Sequence, residues 1–223
     1  MPSRQATRHR PGRTRILPAD PMLQPLLPWP GGLRRGATVT AVGATSLLML
    51  LAGAMRNTGS WARVVGMPAF GLLAAGQDYR VPLDRLALVP DPGPDWPQVV
   101  GTLLDGVDLI VVRPPADVGE GLARSLSSRA RQNGSVLIPA TAWPGAELSL
   151  EATRRRWHGL GHGRGRLKYC DLQVRSTGHG KAVRPRTTTL TLPPAAGTQR
   201  AAIAPAPPRT VTPPPILDRR TSL

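Results

Sequence analysis

The sequence is poor in cysteine and in aromatic residues. Cys170 is the single cysteine, so neither an internal disulfide nor a cysteine-based metal site can form. Aromatic residues make up 4% of the 223 residues and hydrophobic residues 40%, which predicts a core of mainly aliphatic side chains. The low cysteine content fits a reducing cytoplasm, where we expect the protein to reside.

Acidic residues are few, with 13 Asp and Glu against 29 Lys and Arg, for a net charge of +16. Lys168 and Lys181 are the only lysines; the other cations are arginines, which suit bidentate contacts with phosphate. This surplus favours a polyanionic partner, such as nucleic acid or an anionic membrane surface. A GC-rich genome explains the preference for arginine equally well, but it does not explain the net charge.

A long uninterrupted apolar run is also missing. The most apolar stretch, 39–55, contains polar residues, whereas a membrane span needs about 20 apolar residues. Arg34-Arg35 before it and small residues at its end resemble a twin-arginine export signal. We favour a buried strand at 38–43 followed by a helix at 47–55, because the periodicity changes between them. We therefore expect no membrane association.

The 26 prolines concentrate at the two ends of the chain, where 14 of them lie in residues 1–32 and 194–223. We predict a basic, proline-rich, disordered lead at 1–32, a folded core at 33–193 and a proline-rich disordered tail at 194–223. Four apolar side chains of the lead form a candidate docking segment: Leu23, Leu26, Leu27 and Trp29.

Strands and helices alternate through the predicted core. The apolar runs 107–112 and 135–139 are typical of central parallel strands, and 118–133 is an amphipathic helix that ends at Asn133-Gly134. This alternation predicts an α/β fold with a mostly parallel sheet flanked by helices. The other predicted elements are strands at 61–66 and 85–89, helices at 69–76 and 96–105, and C-terminal antiparallel strands at 147–156, 166–175 and 182–192.

The phosphate-binding residues of an ATPase are missing. A P-loop requires GxxxxGK[ST] between a strand and a helix, but Gly43-Ala44-Thr45-Ser46 leads straight into the helix without a lysine. We interpret Thr45 or Ser46 as a helix cap. Arg113 follows the strand 107–112, where an ATPase carries an acidic magnesium ligand. We therefore expect no enzymatic activity and no bound cofactor.

From about Leu33 to Pro193 the chain resembles a RecA-like core, in its glycine-ended first strand, its 107–112 strand and its closing hairpins. The segment 65–68 lies where RecA carries its catalytic glutamate, and it contains no acid. More closely, the sequence resembles the ImuA′ family of RecA-related accessory factors of the actinobacterial mutasome. The matching stretches include Gly59-Ser60-Trp61, Val64-Val65-Gly66-Met67-Pro68, Ala142-Trp143-Pro144-Gly145 and Trp157-His158-Gly159-Leu160-Gly161, together with residues 85–92 and 128–132.

This resemblance implies a non-catalytic accessory role in DNA-damage-induced mutagenesis and translesion DNA synthesis, in the cytoplasm and at the nucleoid. It implies two partners, ImuB, which is a Y-family-like protein without polymerase activity, and an error-prone DnaE-type polymerase. Three alternatives stay open: a residual nucleotide-binding ATPase, an exported protein led by the arginine pair, and a SulA-like inhibitor of cell division.

The richest basic segment supplies the candidate site. Its residues are Arg154, Arg155, Arg156, Trp157, His158, Arg164, Arg166 and Lys168. The cations suit phosphates, and Trp157 and Tyr169 suit stacking on unpaired bases, which makes single-stranded DNA a candidate ligand. A solvated edge strand or an acidic partner protein explains the same charges. We assign no catalytic residue, because the sequence shows no arrangement of a nucleophile with a base. We assign no metal site, because the glycines between His158 and His162 argue against a helix that would bring the two histidines together.

Overall fold

The computed structural model describes residues 14–161 and 164–194, with all side chains in these ranges except those of 160–166 and 181. The tail predicted at 194–223 therefore lies outside the described residues, apart from its first position, and so does 1–13 of the predicted lead.

The described chain has a mixed α/β architecture. Its strands are β1 (Ile16–Pro18), β2 (Gly32–Arg34), β3 (Val39–Val42), β4 (Ala62–Val65), β5 (Leu86–Val89), β6 (Leu109–Val112), β7 (Val136–Pro139), β8 (Leu148–Gly161), β9 (Arg164–Gly178) and β10 (Arg186–Leu192). Its helices are α1 (Thr45–Ala52), α2 (Leu72–Gln77), α3 (Trp96–Leu104) and α4 (Glu120–Asn133). The predicted alternation and the appended C-terminal strands are confirmed.

The strands β3–β10 form two four-stranded sheets that meet at one bridge, and they are called here the parallel half and the hairpin half of the main sheet. The parallel half has the order β5-β4-β6-β7, and each of its pairs is parallel. The hairpin half has the order β3-β8-β9-β10, with β3 and β8 parallel and the last three strands antiparallel. A parallel bridge between Thr38 and Leu137 joins β3 to β7, so the two halves form one layer.

Helices cover both faces of the parallel half. Because successive side chains of a strand point to opposite faces, Leu109 and Val111 of β6 join the buried cluster that contains α1. Ile110 and Val112 join a second cluster with α3 and α4. The continuous apolar sequence of β6 therefore follows from burial on both faces.

The expected disorder of the lead is wrong for residues 14–32. β1 pairs with β2 in antiparallel fashion, and a 3-10 turn at Pro21–Leu23 connects them, with the Asp20 side chain accepting from the Met22 amide. Leu17 and Leu26 are fully buried in the same cluster as α1. Proline frequency was misleading, because the prolines here shape turns that deliver leucines to the core. The candidate docking segment thus packs against the chain's own core.

The arginine pair at 34–35 has a structural role. Arg35 Nη1 lies 2.6 Å from Asp108 Oδ1, and Arg34 is paired with Glu147. These contacts fix β2 against the main sheet. As expected, the apolar stretch that follows forms β3 and α1, and a 3-10 turn at Gly53–Met55 extends the helix. Within the described part of the chain, no helix has both the length and the apolarity to cross a membrane.

Candidate nucleic-acid interface

The hairpin of β8 and β9 divides the predicted basic cluster between the two faces of the sheet. Arg155 is opposite Leu172, and Trp157 is opposite Cys170; Leu172 and Cys170 are buried. Cross-strand partners share a face of the sheet, so Arg155 and Trp157 lie on the covered face. The alternating residues, including Arg154, lie on the outer face. Residues that are contiguous in the sequence therefore face different surroundings.

On the outer face, His158 is held in place by two neighbours. Its Nε2 lies 2.7 Å from Asp171 Oδ2, and its ring stacks on that of Tyr169 with centroids 4.5 Å apart. Thr191 Oγ1 donates to Asp171 Oδ1 at 2.9 Å. This hydroxyl, and after it His158, lowers the pKa of Asp171 below its usual value. Because His158 and Tyr169 stack on each other, the predicted stacking of Tyr169 on a base would have to compete with this contact.

On the covered face, a cavity of about 750 Å³ opens between the hairpin and the loop that joins β3 to α1. Among the residues whose side chains are described, three cationic ones line it: Arg113, Arg155 and Lys168. Trp157, whose side chain is 55% exposed, forms part of its wall. The cavity lies at the carboxyl ends of β3 and β6, the edge at which open α/β sheets commonly bind ligands.

The loop between β3 and α1 is tight. Gly43 has φ of +89°, and a Cβ there would lie 2.9 Å from the carbonyl oxygen of Ala152 in β8, so a larger residue is disfavoured. Arg155 Nη2 donates to the Gly43 carbonyl oxygen at 3.0 Å. An arginine from the hairpin thus lies against the loop that would be the phosphate-binding loop of an ATPase.

The predicted helix cap by Thr45 or Ser46 is wrong. The N-cap of α1 is Ala44, which provides no side-chain hydrogen bond, so Thr45 and Ser46 already belong to the helix. Ser46 instead hydrogen-bonds Tyr79 beside the cavity, which lowers the pKa of that phenol, but burial outweighs this effect and raises it to about 12. Burial also raises the pKa of the Cys170 thiol.

The structure brings together part of the predicted site. Arg155, Trp157 and Lys168 line the cavity, while Arg154, Arg156 and His158 do not line it. Arg164 and Arg166 belong to β9, but their side chains lie outside the described residues, as does His162. Over the described ranges, no group of three or more His, Cys, Asp or Glu is placed to hold a metal.

Arg113, the cation that follows the strand 107–112, was not among the predicted site residues. The side chain joins Arg155 and Lys168 only through the tertiary structure. A signal was present, because the carboxyl ends of parallel strands meet at one edge. That rule places the residue after β6 near Gly43, which follows β3.

Comparison with known protein families finds a match for the part of the chain that precedes β8. Residues 25–145 match the model of a family described as the MT3502 N-terminal domain. The chain belongs to this family. The match runs from the 3-10 turn region before β2 to the loop after β7, so β8–β10 and most of the cavity's cations lie beyond it.

The chain is also similar in sequence to a mycobacterial protein. The chain is 38% identical over 125 residues to a Mycobacterium tuberculosis (strain ATCC 25618 / H37Rv) protein, uncharacterized protein Rv3395c. The alignment covers 55% of this chain and 61% of that relative. The chain therefore spans about three fifths of the relative's length.

Proposed function

We propose that this protein is a non-catalytic, RecA-like accessory factor of the ImuA′ type in DNA-damage-induced mutagenesis. In this role it bridges an ImuB-like Y-family protein and an error-prone DnaE-type polymerase during translesion synthesis, and it binds single-stranded DNA through the hairpin half. The observation that carries the proposal is the position of Arg155 and Arg113 at the carboxyl edge of the sheet, where an ATPase would carry its P-loop lysine and its acidic magnesium ligand.

One contact and one residue position support a scaffold without ATP turnover. Arg155 donates to the Gly43 carbonyl in the short β3–α1 loop. Arg113, an exposed residue, follows β6 where an ATPase needs an acid for magnesium. The lysine that would reach the ATP phosphates and the acid that would help hold magnesium are thus both missing from this edge, which supports a role without ATP hydrolysis.

Exposure and charge support contact with an unpaired strand. Arg154, Arg155, Arg156 and Lys168 are exposed on the hairpin, as is Trp157. Cations bind the phosphates of a single strand, and an exposed indole offers a platform for stacking on an unpaired base.

The first experiment measures binding of fluorescent single-stranded DNA across a salt series, with and without ATP. We expect binding that does not depend on ATP and that weakens steeply with salt. If the strand contacts both faces of the hairpin, the R154A/R155A/R156A variant should lower the salt slope by about 2, since each lost phosphate contact on a single strand removes about 0.7. If the strand contacts the covered face alone, only the loss of Arg155 counts and the slope should fall by about 0.7. The matched control R15A/R124A/R184A removes three exposed arginines located elsewhere and should keep the slope.

A second experiment tests bridging by co-purification of the full chain with an ImuB-like protein and a DnaE-type polymerase, singly and together. The proposal expects a ternary complex and no ATP hydrolysis. Recovery of neither partner would contradict it. ATP hydrolysis that is abolished in T45A/S46A would favour the residual ATPase instead, and filamentation of cells on expression of this protein alone would favour a division inhibitor.

A further inference from the structure

The cavity on the covered face gathers positive charge from separate parts of the chain. Arg113 comes from the end of β6, Arg155 from β8 and Lys168 from β9. Within the described residues, none of the three has a carboxylate in ion-pair contact, whereas Arg34, Arg35 and Arg129 each have one. Asp78 is the only acidic residue in the described lining. The cavity therefore carries a net positive charge.

The rest of the lining suits a flat, partly apolar group. Trp157 presents an exposed ring at the wall, and Leu167 and Leu48 add apolar surface. The volume of about 750 Å³ lies within the roughly 300–1,000 Å³ of small-ligand pockets. A single nucleotide unit of a strand fits within a cavity of this size, while a duplex keeps its bases stacked on each other and away from such a ring.

We propose that this cavity binds one phosphodiester of an unpaired DNA strand, with the neighbouring base stacked on Trp157. Arg113, Arg155 and Lys168 hold the phosphate oxygens. The inference rests on the proposed binding of single-stranded DNA and adds which face of the sheet the strand enters. The strand is thereby assigned to the covered face of the hairpin and not to the outer face, where Arg154 and Arg156 lie.

The decisive variant is R113A, because Arg113 follows β6, lies outside the hairpin and meets the hairpin residues at the cavity. We expect R113A to lower the salt slope of binding to a single-stranded oligonucleotide by about 0.7. The R113A/R155A/K168A variant should lower it by about 2. R184A, a single exposed arginine outside the cavity, serves as the matched control and should leave the slope as in the wild type.

A spectroscopic measurement reports stacking independently of charge. Wild-type tryptophan fluorescence should fall on addition of the oligonucleotide, and most of this quenching should be absent in W157L. Melting temperatures and circular dichroism of all variants identify any variant that loses affinity by unfolding. Since Arg113, Lys168 and Trp157 are exposed, we expect native spectra.

Three outcomes overturn the inference. If R113A binds as the wild type does while R154A/R156A loses about 1.4 in slope, the strand lies on the outer face and the proposed DNA binding survives. If an acidic peptide of the same charge competes as well as the oligonucleotide, the cavity serves a protein partner. If the wild type does not bind single-stranded DNA even at low salt, the proposed DNA binding fails as well.

Discussion

The two halves of the sheet differ in how many of their faces are buried. In the parallel half, consecutive residues of β6 contribute to separate clusters on opposite faces. In the hairpin half, the described residues of β8–β10 contribute to one cluster only, and the outer face carries charged and polar side chains such as Arg154, Arg156 and Thr189.

This difference separates strands whose side chains are all packed in the core from strands whose exposed face can carry binding residues. Strands buried on both faces have little freedom to vary in chemistry, because every side chain packs. Strands buried on one face can carry charge at alternate positions without cost to the core. The family match also ends where this change occurs, at residue 145. The exposed face of the hairpin half can therefore vary in chemistry without disturbing the core, while Arg113, at the end of β6, joins Arg155 and Lys168 at the cavity.

The largest expected effect is on the stability of the fold, and it comes from the ion pair between Arg35 and Asp108, the residue just before β6. The Asp108 side chain is 1% exposed and that of Arg35 is 11% exposed, and Asp108 Oδ2 also accepts from the Trp61 amide at 2.9 Å. D108A leaves the arginine without its carboxylate and should lower the free energy of unfolding by about 3–5 kcal/mol.

Urea denaturation measures this loss, with D84A as the control. Asp84 is 74% exposed and lies 3.6 Å from Arg85, so its removal should cost less than about 1 kcal/mol. Equal losses in the two variants would contradict the structural role assigned to Arg35 and Asp108.

The next effect tests the comparison of faces directly, with alanine at neighbouring positions in each half. L109A and I110A in β6 should each lower the free energy of unfolding by about 2–5 kcal/mol, because both side chains are buried. In β10, L190A should cost a similar amount, whereas T189A should cost less than about 1 kcal/mol. Denaturant midpoints measure these losses of stability. A large loss of stability in T189A would mean that the outer face is covered.

The smallest expected effect on stability comes from the ionisation of a tyrosine, and it is absent at neutral pH. Of the two tyrosines, Tyr79 is 9% exposed and Tyr169 is 40% exposed. Burial raises the pKa of Tyr79 to about 12, whereas the pKa of a tyrosine in an unfolded chain is about 10. Because the fold favours the neutral phenol, this contribution to stability is complete below about pH 10 and is lost as the pH rises towards the folded value.

Ultraviolet absorbance of Y169F protein, which retains Tyr79 as its single tyrosine, measures this ionisation. No phenolate should form at pH values near 10 while the protein is folded. S46A, which removes a hydrogen bond that lowers the pKa, should shift ionisation to still higher pH. A phenolate midpoint near the unfolded value in folded Y169F would contradict the burial of Tyr79.

The sequence predicted the elements of the core well, since periodicity reports local burial. The strand at 107–112 and the helix at 118–133 correspond to β6 and α4, shortened by two residues at their starts. The prediction failed for residues 14–32, where prolines favoured disorder but leucines reach the core. Composition cannot distinguish these outcomes, because burial of Leu17 and Leu26 depends on surfaces supplied by distant residues.

For the site, the sequence by itself determined the net charge, the absence of the P-loop lysine and the run of basic residues on one hairpin. Only the tertiary structure decided which of these residues share a surface. The pleat separates Arg154 and Arg156 from Arg155, and the meeting of strand ends at one edge brings Arg113 to it. The physical reason is that strand pairing and register set the direction of each side chain, and these depend on contacts between residues far apart in the chain.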